Sequence, residues 1–131
     1  MSVPSYASVD SVSSVLGFAL DGLALRQRTI ADNLANVDTP DFRATSVDFE
    51  STLAAAISGA GGGADADAAI TGRLTGAVPS MVATDTPVGA NGNNVDLRKE
   101  TLAAMQSQFQ YQMVARAVTD RFELVRTAAG A

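Results

Sequence analysis

Two helical repeats, one at each end of the chain, limit what this sequence can become. Between Ser11 and Val37, Leu16, Leu20, Leu23, Gln27, Ile30, Leu34 and Val37 follow one another alternately four and three residues apart. That is the spacing of a coiled-coil-like seam, broken only at Gln27. At about 100° per residue, Phe18 and Leu25 fall on the opposite side and form a second, smaller apolar patch. The other repeat starts after Asp96, a predicted N-cap. There Leu102, Met105, Phe109, Met113, Ala117 and Leu124 project to one side. Tyr111, Val114, Val118, Phe122 and Val125 project roughly opposite, with Arg116, Asp120 and Glu123 interrupting the first face toward its end. Each helix runs for about 25 residues or more, or on the order of 40 Å. The expected fold is all-α: two long terminal helices paired as an antiparallel coiled-coil-like hairpin, with an extended turn arm and a loop-rich middle. Such a hairpin cannot cover four apolar faces, so the pattern implies a subunit of an assembly.

The first repeat stops in "NLANVDTPDFRATSVDFE", Asn33 to Glu50. Asn36 suits a left-handed helix end, Pro40 biases Thr39 away from helix, and the Asn, Asp and Thr side chains can take up the freed backbone groups. Beyond the turn two signals compete. Alternation at Val47 and Phe49 favours extension, whereas "FESTLAAAI" favours helix. "GAGGGADADAA", Gly59 to Ala69, has almost nothing to bury and reads as a linker. The stretch after it mixes β-branched residues with Gly, Pro and Asn and suggests loops with room for a short hairpin. The expected segments are thus a flexible lead-in over 1–10, a helix over 11–37, the turn and arm over 38–58, linker and loops over 59–95, and a helix over 96–128.

Composition narrows the chemistry. The 131 residues include no cysteine and no histidine, which removes thiolate chemistry, imidazole ligands and the usual general base near neutral pH. A serine nucleophile would depend on Lys99, the only lysine, and no nucleophile-elbow pattern surrounds any serine. "GAGGG" lacks the lysine and hydroxyl of a phosphate loop. The acid pairs Asp48 with Glu50 and Asp65 with Asp67 lack the glycine-punctuated context of a calcium loop and read as solvated acids. No catalytic residue, cofactor or metal is expected. With net charge −5 and only nine scattered basic residues, nucleic acid is not an expected partner. The first basic residue is Arg26 and Asp21 cuts the apolar run before it, so neither a secretory signal nor a membrane span is read.

The residues around the turn resemble a known signature. "LALRQRTIADNLANVDTPDFRATSVDF" is similar to the N-terminal helix and N-x-A-N-x-x-T-P-G-[YF]-[KR] turn of flagellar basal-body rod proteins, matched at Asn33, Ala35, Asn36, Thr39, Pro40, Phe42 and Arg43. Asp41 stands where that family usually has glycine; if the glycine has positive φ, Asp41 bears strain or the turn is built differently. "GNNVDLRKETLAAMQSQFQYQMVARAVTDRFELVR" resembles the C-terminal helix of the FlgB type, through Gly92 to Leu97, and the small middle region fits the same type. Together the two stretches cover about half the chain.

The resemblance implies a structural subunit of the proximal rod, exported by the flagellar type III apparatus without a cleaved signal and assembled helically between the export gate with the MS ring and the distal rod, where it transmits torque. The implied partners are the chain itself, rod proteins of the FlgC, FlgF and FlgG types, the FliE-type adaptor, the MS ring and the export gate. In that assembly Leu16, Leu20, Leu23, Ile30 and Leu34 are expected to face the C-terminal helix, with Phe109 and Met113 among the packing residues. Tyr111, Val114, Val118 and Phe122 are expected to face neighbouring subunits. Phe49 and Leu53 fit the short Phe-x-x-x-apolar form through which such substrates are thought to meet the gate; packing explains them equally well. Another short rod subunit of the FlgC type, or a soluble helical adaptor or export chaperone, are the competing readings.

Overall fold

The computed structural model of the protein describes residues 10–130. The lead-in expected over 1–10 therefore lies, apart from Asp10, outside the described residues. Asp10 caps the first helix, α1 (Ser11–Ala35), its carboxylate accepting the Ser13 amide at 2.9 Å. This satisfies one of the amides that a helix start leaves without an internal partner. After the turn come β1 (Thr45–Asp48), α2 (Glu50–Gly59), α3 (Ala66–Leu74), β2 (Ser80–Ala83) and the long α4 (Leu97–Gly130). Asp96 caps α4, accepting the Arg98 amide at 3.0 Å and the Lys99 amide at 3.2 Å.

The molecule is mostly helical, but not wholly so. β1 and β2 form a two-stranded antiparallel sheet in which Thr45 faces Ala83 and Asp48 faces Ser80. The two signals in the arm divide at Phe49: Val47 lies in the strand, and Glu50 opens the helix. The middle expected as linker and loops holds α3 and β2 as well. α3 is the alanine-rich run beside the glycines, held by Leu74 in the core and by Arg73, which donates to the Gly59 carbonyl at the end of α2 at 2.9 Å. A basic group at a helix C-terminus is favoured by the helix dipole.

The core lies where α1 meets β1, α2 and α3. Phe18, Ala19, Leu23, Val47, Phe49, Ala56 and Leu74 form one buried cluster. Phe18, read from the sequence as the minor patch, is thus a core residue, and Leu25 packs at the edge of the same cluster. Phe49 lies so close to Gly22 that a Cβ there would stand 2.6 Å from a ring carbon. Arg26 closes the other side. Its guanidinium lies 4.6 Å from the ring centroid, donates to the Val47 carbonyl at 2.7 Å and reaches both Glu50 oxygens at 2.7 and 2.8 Å.

α4 lies along α1. Polar pairs join Asp10 to Arg121, Arg26 to Gln110 at 3.4 Å, Gln27 to Gln108 at 3.1 Å and Asn33 to Glu100 at 3.2 Å, the α4 number falling as the α1 number rises. The face that α4 turns inward departs from expectation. Tyr111 and Val114, expected to meet neighbouring subunits, pack against the core cluster instead. Glu100 and Ser107 are buried on the same side, Ser107 completely. Small and polar side chains let the two helices approach closely. The bulkier Leu102, Met105, Phe109 and Met113 are left outside, 57 to 68% exposed.

Candidate functional site

The turn after α1 is built from two successive four-residue turns. The Thr39 amide donates to the Asn36 carbonyl at 3.0 Å, and the Phe42 amide donates to the Thr39 carbonyl at 3.3 Å. In the second, Pro40 takes the position that proline presets and Asp41 the position that needs positive φ, the arrangement of a type II turn. Asp41 has φ of +61°. The left-handed residue is therefore Asp41, and the expectation for Asn36 is corrected. Asn36 has φ −105° and ψ 17°, and closes the helix through its side chain instead. Its Nδ2 donates to the Asp32 carbonyl at 2.8 Å, while its Oδ1 accepts from the Thr39 hydroxyl at 3.0 Å. The side chain has taken over the carbonyl satisfaction that a left-handed residue would supply.

A second segment clamps this turn from about fifty residues away in sequence. Buried Asn93 donates its Nδ2 to the carbonyls of Asn36 and Thr39, both at 2.8 Å, while its Oδ1 accepts the Val95 amide at 2.7 Å. Buried Asn94 accepts the Ala44 amide at 2.6 Å, and its backbone amide donates to the Phe42 carbonyl at 3.3 Å. The Asp41 amide donates to the Asn91 carbonyl at 3.0 Å. Gly92, at φ +81°, faces Asp41 so closely that a Cβ would stand 3.1 Å from the Asp41 Cα. A side chain there meets both a forbidden backbone region and a filled space. Asn33 completes the joint. Its carboxamide donates to the Thr45 carbonyl at 2.8 Å and to Glu100 at 3.2 Å, and accepts the Thr45 amide at 3.3 Å. One buried side chain thus ties α1, β1 and α4.

Three of the four acids weighed in the sequence as cation ligands, Asp48, Glu50 and Asp67, have other partners. Asp48 accepts the Ser51 amide at 3.0 Å and the Ser51 hydroxyl at 2.6 Å, and those bonds hold its carboxyl below the usual aspartate range. Glu50 pairs with Arg26 and Asp67 accepts the Ser11 hydroxyl. Among the described residues, no helix is long and apolar enough to cross a membrane.

A sequence model of the family described as "Flagella basal body rod protein" matches residues 15–43, which span α1 and the turn. The match to known proteins extends much further. The flagellar basal body rod protein FlgB of Bacillus subtilis is 32% identical over 110 residues, covering 83% of this chain and 85% of that protein. The protein of the same name from Borreliella burgdorferi is 31% identical, with 81% and 86% covered. That of Escherichia coli is 30% identical, with 88% and 92% covered. The chain belongs to the FlgB family of flagellar basal body rod proteins. It is a structural subunit of the basal body rod.

Within this FlgB chain, the two stretches that carry the resemblance are physically one joint: Gly92, Asn93 and Asn94 hold the turn at Asn36, Thr39, Asp41 and Phe42. The sequence signature named Asn33 and Asn36 but not their partners. The signal for the partners was the pair of carboxamides just ahead of the Asp96 cap. Ala35, Thr39, Pro40 and Arg43 are exposed and Phe42 half-buried, so the turn presents an open outer surface. Of the residues expected to face the C-terminal helix, Leu23 and Ile30 are buried and Leu16, Leu20 and Leu34 half-buried. Val118 is half-buried, whereas Phe122 is 71% exposed. Phe49 is buried and Leu53 packs against the core.

Proposed function

We propose that this chain builds the wall of the proximal rod, with α1 and α4 as an antiparallel coiled-coil-like hairpin whose outer face docks on neighbouring rod subunits. One observation carries the reading. Leu102, Met105, Phe109 and Met113 form an exposed apolar ridge on α4, in a stretch from Thr101 to Ala115 without a single charged residue. Isolated soluble helices do not keep such a ridge in water; it marks a protein-binding surface.

In this reading residues 11–37 and 96–128 form the wall, the exposed turn that opens 38–58 faces a neighbour while the rest of that segment packs on α1, and 59–95 fills the space behind it. Its work is mechanical and without catalysis: the assembled helices transmit torque. The neighbours are further copies, rod proteins of the FlgC, FlgF and FlgG types, and the FliE-type adaptor near the MS ring and export gate, on the periplasmic side of the inner membrane. The chain reaches that place through the flagellar type III apparatus without a cleaved signal. Phe49 and Leu53 serve as a gate motif only in the unfolded chain, because folding places Phe49 between Gly22 and Arg26.

The test is a charge on the ridge. Met105→Glu with Phe109→Glu is expected to leave the circular dichroism and melting of the purified chain unchanged, since both side chains are already exposed, and to abolish swimming and rod assembly. Normal swimming by cells carrying only this variant would sink the reading.

A further inference from the structure

The same helix pair carries a second surface that the ridge fits. Between α1 and α4 runs an open groove of about 240 Å³, lined by Gln27, Ile30, Ala31, Leu34, Ala104 and Gln108. It exists because α4 places the small Ala104 at its shoulder, where a larger side chain would fill the space. No lining residue is charged. We propose that the ridge of Met105, Phe109 and Met113 seats in this groove on a second copy of the chain. The inference rests on the rod-subunit reading and names which surfaces of two copies meet.

Three features favour this occupant. The first is shape. Met105, Phe109 and Met113 lie in one row four residues apart, and the groove is walled by rows of the same step, Gln27 with Ala31 on α1 and Ala104 with Gln108 on α4, the two glutamines joining the walls through their 3.1 Å hydrogen bond. A row of knobs with that step fits between rows of that step, as in ridges-into-grooves packing. The second is charge. Each copy carries a net −5, so two copies repel over most of their surfaces. The ridge stretch, free of charge from Thr101 to Ala115, and the uncharged groove are where that repulsion is weakest. The third is placement. At about 100° per residue, Phe109 lies some 140° around α4 from Ala104, so ridge and groove occupy different faces. A copy whose ridge is seated still offers its own groove, and one whose groove is filled still offers its ridge. Such a heterologous contact adds further copies, as a ring or an open helix, instead of closing as a two-fold dimer.

The absence of cysteine makes the contact directly testable. Phe109→Cys marks the ridge and Ala31→Cys the groove, both at exposed positions. Cells carrying each single variant, both together, or the double variant supply basal bodies. These are oxidised with copper phenanthroline and run on a denaturing gel. The expected result is a monomer from each single variant, a covalent dimer from the two together, and a ladder of dimers and larger species from the double variant. A dimer from Phe109→Cys alone means that ridge meets ridge and overturns the proposal. So does an unlinked double variant in basal bodies that contain it. Absence of the native chain from basal bodies would instead overturn the rod reading, and the inference with it. Should the cysteine variants stay out of the basal body, Ala31→Glu decides: the proposal requires loss of swimming with unchanged circular dichroism, and normal swimming overturns it.

Discussion

Asp41 is the residue at which this chain departs from the glycine usual in the turn, and its backbone shows what the departure costs. At φ +61° an L side chain crowds its own carbonyl, a strain of roughly 1–2 kcal/mol. Aspartate tolerates the region better than most residues, which keeps the strain toward the lower value. Glycine would remove it but would add freedom to the unfolded chain worth roughly 0.5–1 kcal/mol. The two effects oppose each other, and relief of strain is the larger. Asp41→Gly is therefore expected to raise the urea midpoint, with a gain of about 0.5 kcal/mol. Gly92→Ala is the counterpart. It combines a φ of +81° with a Cβ 3.1 Å from the Asp41 Cα, and is expected to cost about 2 kcal/mol or more. A lower midpoint for Asp41→Gly would show that the aspartate side chain repays its own strain, and that the family glycine is not required by this turn.

At the scale of elements, aspartates beside three of the helix starts accept amides that those starts leave free, and one of these starts is sensitive to pH. Asp48 stands just before α2 and accepts both the hydroxyl and the amide of Ser51, bonds that are stronger to the charged form and so lower its pKa. A folded-state pKa below the unfolded one contributes stability that is complete above the ordinary aspartate value, about 3.9, and is lost as pH falls through the lower folded value. Asp48→Asn should thus be less stable than the parent at pH 7, with the difference shrinking below about pH 4. Melting temperatures at both pH values check this; a constant difference would show that the charge is irrelevant. This start was only half legible beforehand. Because helical periodicity and capping act within a few residues, local pattern gave α1, α4 and the Asp96 cap, though it placed Asp10, which caps α1, in the lead-in. It left strand and helix unresolved around Phe49, since the decision comes from β2, whose Met81 pairs with Val47 from more than thirty residues away. α3 was hidden by the glycines beside it. In α4 periodicity identified both faces, yet side-chain volume misled. The intramolecular seam is Glu100, Ala104, Ser107, Tyr111 and Val114, while the larger apolar residues face out. Burial inferred from hydrophobicity alone fails here, because small and polar side chains take the close contact with α1 and the bulky ones stay exposed.

Across the whole molecule, protection is unevenly shared between the two long helices. α1 is covered by α4, β1, α2 and α3 together, and carries Phe18, Ala19, Leu23 and Ile30 in the buried set. α4 leans on α1 along one face, and among the described residues the side-chain pair furthest along it is Arg121 with Asp10, the cap of α1. Between Phe122 and Gly130 only Val125 is as much as half-buried. The opening free energy of an amide follows the packing around it, from near zero at uncovered ends to the global value in the core. The end of α4, and not α1, is therefore the part of the pair left without cover. Hydrogen exchange on the isolated chain should find the slowest amides between Gly22 and Asn33, intermediate protection from Glu100 to Val114, and fast exchange from Phe122 onward. In assembled rods protection should extend through the end of α4, because an isolated helix tail gains little from propensity alone and much from burial of Phe122 and Leu124, now 71% and 60% exposed. Uniform slow exchange along α4 in the monomer would mean that its stability does not depend on neighbours. Rod assembly would then be a docking of finished parts, with no ordering of the helix tail left to drive it.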